Sequence, residues 1–232
     1  MKSIDDVCLI IQTRLGSRRT PRKAIKPFAG TTLFDIAIQK ALSSKVIPRD
    51  NIYTSIYEDE LLDIAKKYDV NIYNRTHKSA NEHGSGSSKL LYEWYNKLPF
   101  KYCILLNICH PLLKVDTIDR FAKSYLETES SGLFGVIEKK QYYWDSSGNL
   151  ITKWIKDFSV MNTNLVDPTY EAAHSLYASE MSGIENEVWM AEAPYTINNP
   201  ELFIIDEIEA YDIDHPWQFK IAEMLYLGAK NE

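Results

Sequence analysis

The chain alternates short apolar runs with segments of helical spacing, and that alternation leaves few architectures open to it. Val7–Thr13 (VCLIIQT) is apolar until its end, where Gly, Ser and Arg follow. A run buried on both faces and feeding a loop reads as a central parallel strand. Thr32–Ser44 carries Leu33, Ile36, Ala37, Ala41 and Leu42 at helical spacing. Asn51–Ser55 reads as a strand, Glu58–Tyr68 as a helix with one apolar side, and Val70–Tyr73 as a further strand. A polar loop from Asn74 to Gly86, a helix near Ser87–Asn96, a strand at Tyr102–Asn107 and a helix at Asp116–Leu126 continue the rhythm. This β-α-β-α-β-α-β order predicts an α/β fold: a doubly wound, mainly parallel, Rossmann-like sheet with helices on both faces.

The rhythm breaks after Phe134–Glu138. Residues 139–172 are aromatic and mixed, with Asp145-Ser146-Ser147-Gly148-Asn149 as a hairpin turn between Tyr142-Tyr143-Trp144 and Leu150–Ile155. An inserted antiparallel arm or lid fits this stretch better than another βα unit. Strand signal resumes at Ala173–Ala178, and a helix runs from about Pro216, suited to a first helical position, to Leu227. Without internal repeats or a low-complexity linker, residues 1–232 read as a single domain carrying that arm.

Charge says where an anion would sit. The chain has 26 Lys+Arg against 32 Asp+Glu, a net charge of -6, with 45% hydrophobic residues. That is a globular composition, and it disfavours general nucleic-acid or anionic-membrane binding, including an RNA-binding protein built on its arginines. Six bases, Arg14, Arg18, Arg19, Arg22, Lys23 and Lys26, nevertheless fall in one stretch with no acid between them. The stretch follows the first strand, where α/β sheets bind ligands. Gly16 allows a sharp turn whose N–H groups converge on phosphate oxygens, Ser17 adds a hydroxyl, and Arg14, Arg18 and Lys23 neutralise a polyphosphate. Arg19, Arg22 and Lys26 read as solvating the loop. The segment is neither a Walker A sequence nor a G-x-G-x-x-G fingerprint, which disfavours NTPase and dehydrogenase readings; the alternative is a plain solvated basic loop.

Near the other end, Asp212-Ile213-Asp214 places two carboxylates at i, i+2, on one face of an extended segment. Paired carboxylates beside a phosphate site suit Mg²⁺, which takes oxygen ligands and bridges protein to phosphates. The competing reading has Asp214 merely capping the helix that begins near Pro216. Three cysteines, Cys8, Cys103 and Cys109, lack CxxC spacing, so a reducing cytoplasm is expected, without a zinc ribbon. Zinc held by His77, His83, Cys109 and His110 is disfavoured, and so is a Cys109–His110 nucleophile–base pair, whose adjacent side chains point to opposite faces. The apolar runs are strand-sized, far short of a membrane span.

Arg14-x-Gly16-Ser17-x-x-x-Pro21-x-Lys23, followed by Ile25-Lys26-Pro27-Phe28-Ala29-Gly30, resembles the opening signature of the N-acylneuraminate (CMP-sialic acid) cytidylyltransferases, A-R-G-G-S-K-x-(I/L)-P-x-K-N. Leu15, Arg18 and Ala24 depart from it. The segment Asp212-Ile213-Asp214 is similar to the family's D-I-D ending, with Gln218 where the family has a third acid. The resemblance implies a nucleotide-diphospho-sugar transferase-like fold and a Mg²⁺-dependent enzyme joining CMP from CTP to a nonulosonic acid for surface glycan synthesis. It implies catalytic roles for Arg14, Lys23 and Asp212, and metal binding by Asp212 and Asp214. Nucleotide contacts are implied for Arg14, Gly16, Ser17, Arg18, Lys23, Arg75, Gly84 and Ser85. Leu105–Leu113 is similar to L-L-Q-P-T-S-P-L-R, which implies acceptor contacts at Asn107 and His110. Departures cluster around the acceptor: Cys109-His110 for Thr-Ser, Leu113 for Arg, Ser55-Ile56-Tyr57-Glu58 for S-T-D-D, and Ala173-His174-Ser175-Leu176-Tyr177 for N-G-A-I-Y. The arm, with Lys153, Trp154 and Lys156, is implied to build a homodimer; packing on its own domain is the alternative. Two rival readings remain: a different acceptor (a deoxy-octulosonate or a phosphonate), and a noncatalytic nucleotide-binding homologue serving as scaffold or regulator.

Overall fold

The computed structural model describes residues 1–81, 87–189 and 200–229. Seven strands form one sheet: β1 (Val7–Gln12), β2 (Ile52–Ile56), β3 (Asn71–Asn74), β4 (Tyr102–Leu106), β5 (Gly132–Lys139), β6 (Thr169–Glu180) and β7 (Glu201–Ile204). Their order across the sheet is β3-β2-β1-β4-β6-β5-β7. The β1–β2, β2–β3, β1–β4 and β5–β7 pairs are parallel, and β6 alone runs against its neighbours β4 and β5. The expected doubly wound, mainly parallel sheet is what forms.

The central strand shows why. Val7 to Ile11 are all 0% exposed. Val7, Leu9 and Ile11 enter the larger core, with α1 (Leu33–Leu42) and α5 (Val115–Glu127). Cys8 and Ile10 enter a second cluster on the opposite face, around Trp94, Met181 and Ile184. Covered on both sides, β1 has no polar face to alternate. Helices α2 (Asp59–Ala65), α3 (His77–Ala80) and α4 (Ser88–Leu91) follow β2 and β3, while α6 (Met181–Ile184) and α7 (Pro216–Ala229) complete the chain. The helix expected at Ser87–Asn96 is split: Tyr92 leaves helical geometry, and a 3-10 turn at Glu93–Asn96 follows α4. No helix among the described residues is long and apolar enough to cross a membrane, and Cys8, Cys103 and Cys109 are buried free thiols.

The insertion is less regular and shorter than its sequence implies. Lys139 belongs to β5 and Thr169–Ala172 to β6, so the intervening arm is 140–168. Its antiparallel character is confined to a Trp144–Leu150 bridge around the Asp145 turn, where Gly148 takes φ +83°. The Thr152 hydroxyl accepts from Tyr143 N–H (2.9 Å) and donates to the Gln141 carbonyl (3.0 Å), so side chains close what a ladder would otherwise hold. Trp144, Ile151, Val160 and Met161 of this arm are exposed.

Two features aim the sheet's carboxyl edge. The chain after β7 returns across the sheet, and Ile213 N–H reaches the Cys109 carbonyl at 3.0 Å, beyond the end of β4. From the opposite side, Lys40 of α1 donates its ammonium to the Pro111 carbonyl in the same loop. Burial pushes the Lys40 pKa down to about 7, with Glu209 opposing in part. An unfolded chain keeps that proton up to its ordinary value of 10.5, so folding is penalised fully below pH 7 and progressively less up to 10.5. Lys40→Met therefore gains stability relative to wild type most at pH 7, and chemical denaturation across pH 7–10 should show that gain shrinking.

Candidate active site at the ends of β1 and β4

β1 and β4 are adjacent where the strand order turns back, and the loops leaving their carboxyl ends face each other across the crevice expected of such folds. A cavity of about 360 Å³ lies there, lined by Arg14, Gly16, Ser17, Arg18, Arg19 and Lys23 from the first loop. Asn107, Ile108 and Cys109 of the second loop, Asp214, and Gln12, Thr13 and Ala24 line the rest. Glu58 at the start of α2 fixes the first loop by accepting from Leu15 N–H at 2.7 Å. Ser17 N–H then bonds the Leu15 carbonyl at 2.9 Å, making Gly16 the centre of a three-residue turn. Two amides expected to converge on phosphate, those of Leu15 and Ser17, are thus engaged within the protein.

The six clustered bases separate by direction. Arg14, Arg18, Arg19 and Lys23 line the cavity, and Arg14 also donates to the Ala80 carbonyl at 3.2 Å. Arg22, at φ +56°, turns away to Glu60 at 3.0 Å, and Lys26 lies over the Phe219 ring. Arg19 was expected only to solvate the loop; instead its guanidinium holds Asp214 at 2.8 Å.

Lys23 joins the two ends of the chain. Its ammonium donates to the Ile213 carbonyl at 2.5 Å and to Asp214 Oδ1 at 3.4 Å. Burial alone would lower its pKa, but Cys109, Asp212 and Asp214 together hold it above the ordinary value. Burial pushes the Cys109 thiol up to about 11, so near neutral pH the aspartates supply the attraction. The buried hydroxyl of Thr20 adds a second tie, donating to the Asp214 carbonyl at 2.8 Å.

Asp212 and Asp214 flank Ile213, which is 0% exposed and anchors the segment in the core. Asp214 is not the helix cap. Gln218 caps α7, its Oε1 accepting from Asp214 N–H (2.9 Å) and His215 N–H (2.7 Å), which leaves the Asp214 carboxylate to Arg19 and Lys23. Asp212 is held above the ordinary carboxylate range first by burial, then by Asp214, with Lys23 opposing. Its Oδ1 is buried without a hydrogen-bond partner. An unpaired hard oxygen beside a second carboxylate fits Mg²⁺, which needs one or two protein carboxylates when phosphates and waters complete its shell. No cluster of three or more His, Cys, Asp or Glu suited to a metal occurs among the described residues.

A second cavity of about 390 Å³ adjoins the first, and Gln12 and Asn107 line both. The Gln12 side-chain oxygen Oε1 accepts from Trp94 Nε1 at 2.7 Å, while the Asn107 side chain donates to the His174 carbonyl at 2.9 Å and accepts from Cys109 N–H at 3.0 Å. Its walls are aromatic: Tyr92 stacks on Trp189, and Phe134 stacks on Tyr177.

Two expected contacts, Arg75 and His110, are placed differently. Arg75, expected at the nucleotide, is 5% exposed and spends its guanidinium on Ser79 Oγ (3.1 Å), the Ser79 carbonyl (2.7 Å) and the Leu91 carbonyl, bracing α3 against α4. Burial lowers its pKa to about 10. His110, expected at the acceptor, is 3% exposed and lines neither cavity. Burial pushes its pKa down to about 3, only partly offset by the Ala173 backbone, so the ring is neutral at physiological pH. Gly84 and Ser85 lie outside the described residues.

The sequence profile of a family described as Cytidylyltransferase matches residues 8–227. A pseudaminic acid cytidylyltransferase of Campylobacter jejuni serotype O:2 is 22% identical over 227 residues, covering 94% of each chain. Its counterpart from serotype O:23/36 is equally similar, at 22% over 228 residues. Among solved structures, a CMP:2-keto-3-deoxy-manno-octonic acid synthetase complexed with CTP superposes with a TM-score of 0.67 at 12% identity, covering 97% of this chain and 99% of that one. A 4-diphosphocytidyl-2C-methyl-D-erythritol synthase from Anaerococcus prevotii gives 0.65 at 14% identity, covering 97% and 98%.

The Asp212 Oδ1, buried without a hydrogen-bond partner beside the like charge of Asp214, costs stability. Asp212→Asn should therefore raise the thermal midpoint in EDTA and abolish any further rise on adding Mg²⁺ with CTP, measured by differential scanning fluorimetry.

Proposed function

The chain belongs to the cytidylyltransferase family, and on that premise we propose that it transfers CMP from CTP to an acidic sugar of the nonulosonic class, releasing pyrophosphate. The observation that carries this reading is the meeting of four cavity-lining cations with Asp214, and Asp212 beside it, at the carboxyl ends of β1 and β4. Pseudaminic acid, the substrate in the relatives' names, is the leading acceptor. The expected product is an activated sugar for surface glycan synthesis. Three buried free thiols suit an enzyme of the reducing cytoplasm.

In this reading the triphosphate lies against Arg14, Arg18, Arg19 and Lys23. The acceptor hydroxyl oxygen attacks the α-phosphorus in line, the bond from that phosphorus to the bridging oxygen breaks, pyrophosphate leaves, and the hydroxyl proton passes to solvent or a phosphate oxygen. The cations neutralise charge building on the α-phosphate and on the leaving group, and Gln12 and Asn107 keep nucleotide and acceptor cavities in register. Arg19 exchanges Asp214 for phosphate when the nucleotide binds, which frees the carboxylate. Asp212 and Asp214 would hold Mg²⁺, which supplies charge neutralisation at the phosphates when bound. We place a homodimer contact on the arm, whose exposed Trp144, Ile151, Val160 and Met161 would be covered by a second copy.

Pyrophosphate release from CTP and Mg²⁺ with pseudaminic, N-acetylneuraminic and 3-deoxy-octulosonic acids tests the reaction. Turnover with one of them, abolished by EDTA, is expected. Arg19→Ala should raise the CTP KM about tenfold, the worth of one charge-assisted contact, and Lys23→Ala should lower kcat/KM by about 100-fold or more. CTP binding indifferent to Mg²⁺ and to Asp212→Ala, without turnover, would instead assign a binding module. Light scattering should give a dimer mass for wild type and a monomer for Trp144→Asp/Ile151→Asp.

A further inference from the structure

His174 is among the few non-glycine residues with a left-handed backbone, at φ +55°. It lies where the β5–β6 register shifts, between the Phe134–Tyr177 and Val136–Ala172 pairs, so that part of β6 bulges from the ladder. Glycine takes such a backbone freely, whereas a histidine there is held against its preference. The bulge is firmly fixed: Asn107 N–H bonds the Ser175 carbonyl at 3.0 Å, and the Asn107 side chain bonds the His174 carbonyl at 2.9 Å. The ring is exposed and lines the second cavity, and its Nδ1 meets the Tyr177 hydroxyl at 2.9 Å. Tyr177 in turn stacks on Phe134, with ring centroids 5.2 Å apart.

Three observations converge on a role for this ring. The cavity adjoins the cation-lined one through Gln12 and Asn107, so a molecule in it is next to a bound triphosphate. Among the described residues lining it, His174 is the one basic side chain; the rest are aromatic, aliphatic or amide. The Nδ1–Tyr177 hydroxyl contact leaves Nε2 to a molecule in the cavity, and in the tautomer where the hydroxyl donates to Nδ1 that nitrogen carries the ring's one N–H, beside the Phe134–Tyr177 stack.

We propose that His174 is the residue that selects the acceptor: its Nε2–H takes the carboxylate of the sugar acid, while Phe134 and Tyr177 receive a face bearing deoxy or acyl groups. The inference rests on the cytidylyltransferase reading for the identity of the second substrate. It explains why a strained side chain is kept on a bulge, and it predicts preference for a deoxy, acylated sugar acid over a fully hydroxylated one.

Two variants and two readouts test it. His174→Gly removes the donor and relaxes the backbone, so the thermal midpoint should rise by about a few degrees. The acceptor KM should climb about tenfold or more while the CTP KM stays within about twofold. His174→Gln returns a donor at the Nε2 position and should recover most of the acceptor affinity. Binding of pseudaminic, N-acetylneuraminic and 3-deoxy-octulosonic acids is measured in parallel by calorimetry with a nonhydrolysable CTP analogue present. Normal turnover with an unchanged acceptor KM in His174→Gly overturns the proposal and leaves the transfer reading intact. Equal losses for CTP and acceptor with a lowered midpoint also overturn it, assigning the ring a structural role. Should no acid turn over while one binds wild type and not His174→Gly, the transfer reading fails and the His174 assignment stands. Should none bind or react, both fall.

Discussion

The site depends on one ammonium group. Lys23, on the loop after the first strand, reaches the Ile213 carbonyl and the Asp214 carboxylate, and so binds the basic loop to the acidic segment before the last helix. Without that tie, Asp214 would keep Arg19 as its cation and Asp212 would lose its main one, and the loop would keep only part of its far support. Arg19 and Thr20 reinforce the same seam through Asp214. A phosphate ligand and a divalent cation together would replace these internal contacts nearly one for one: phosphate for the carboxylate at Arg19 and Lys23, and cation for the basic groups at Asp214.

Much of the fold is legible in the residues because β1 is buried on both faces, so its apolar run has no gaps to misread. The i, i+2 spacing of Asp212 and Asp214 is equally direct, since Ile213 must turn the other way into the core. Other features are decided by contacts distant in sequence. Nothing in Ala173–Ala178 states that β6 runs antiparallel between β4 and β5, or that it bulges at His174. Gln218 stands where the resembling family has an acid, and only its geometry shows that it caps α7 and releases Asp214.

The exchange of Arg75 for Arg19 follows from the same limit. Loop residues carry no periodicity, so their side-chain directions are set by whichever partner is near. Ser79 and Leu91 offer carbonyls that draw Arg75 inward, whereas Asp214 draws Arg19 across the cavity mouth. His110 is drawn under by apolar neighbours, Leu113 and Cys109 among them, which are themselves core. The second cavity is therefore built from residues whose signal in the sequence is weak: an amide at Asn107, aromatics of a kind that also fills cores, and a histidine marked by its backbone angle.

The most direct measurement of the central claim is a crystal structure with CTP and Mg²⁺. The account predicts phosphate oxygens within hydrogen-bonding distance of Arg14, Arg18, Arg19 and Lys23, and a cation held by both Asp212 and Asp214 and by a phosphate. A triphosphate seated elsewhere, with Arg19 still on Asp214 and no cation between the two aspartates, would contradict it.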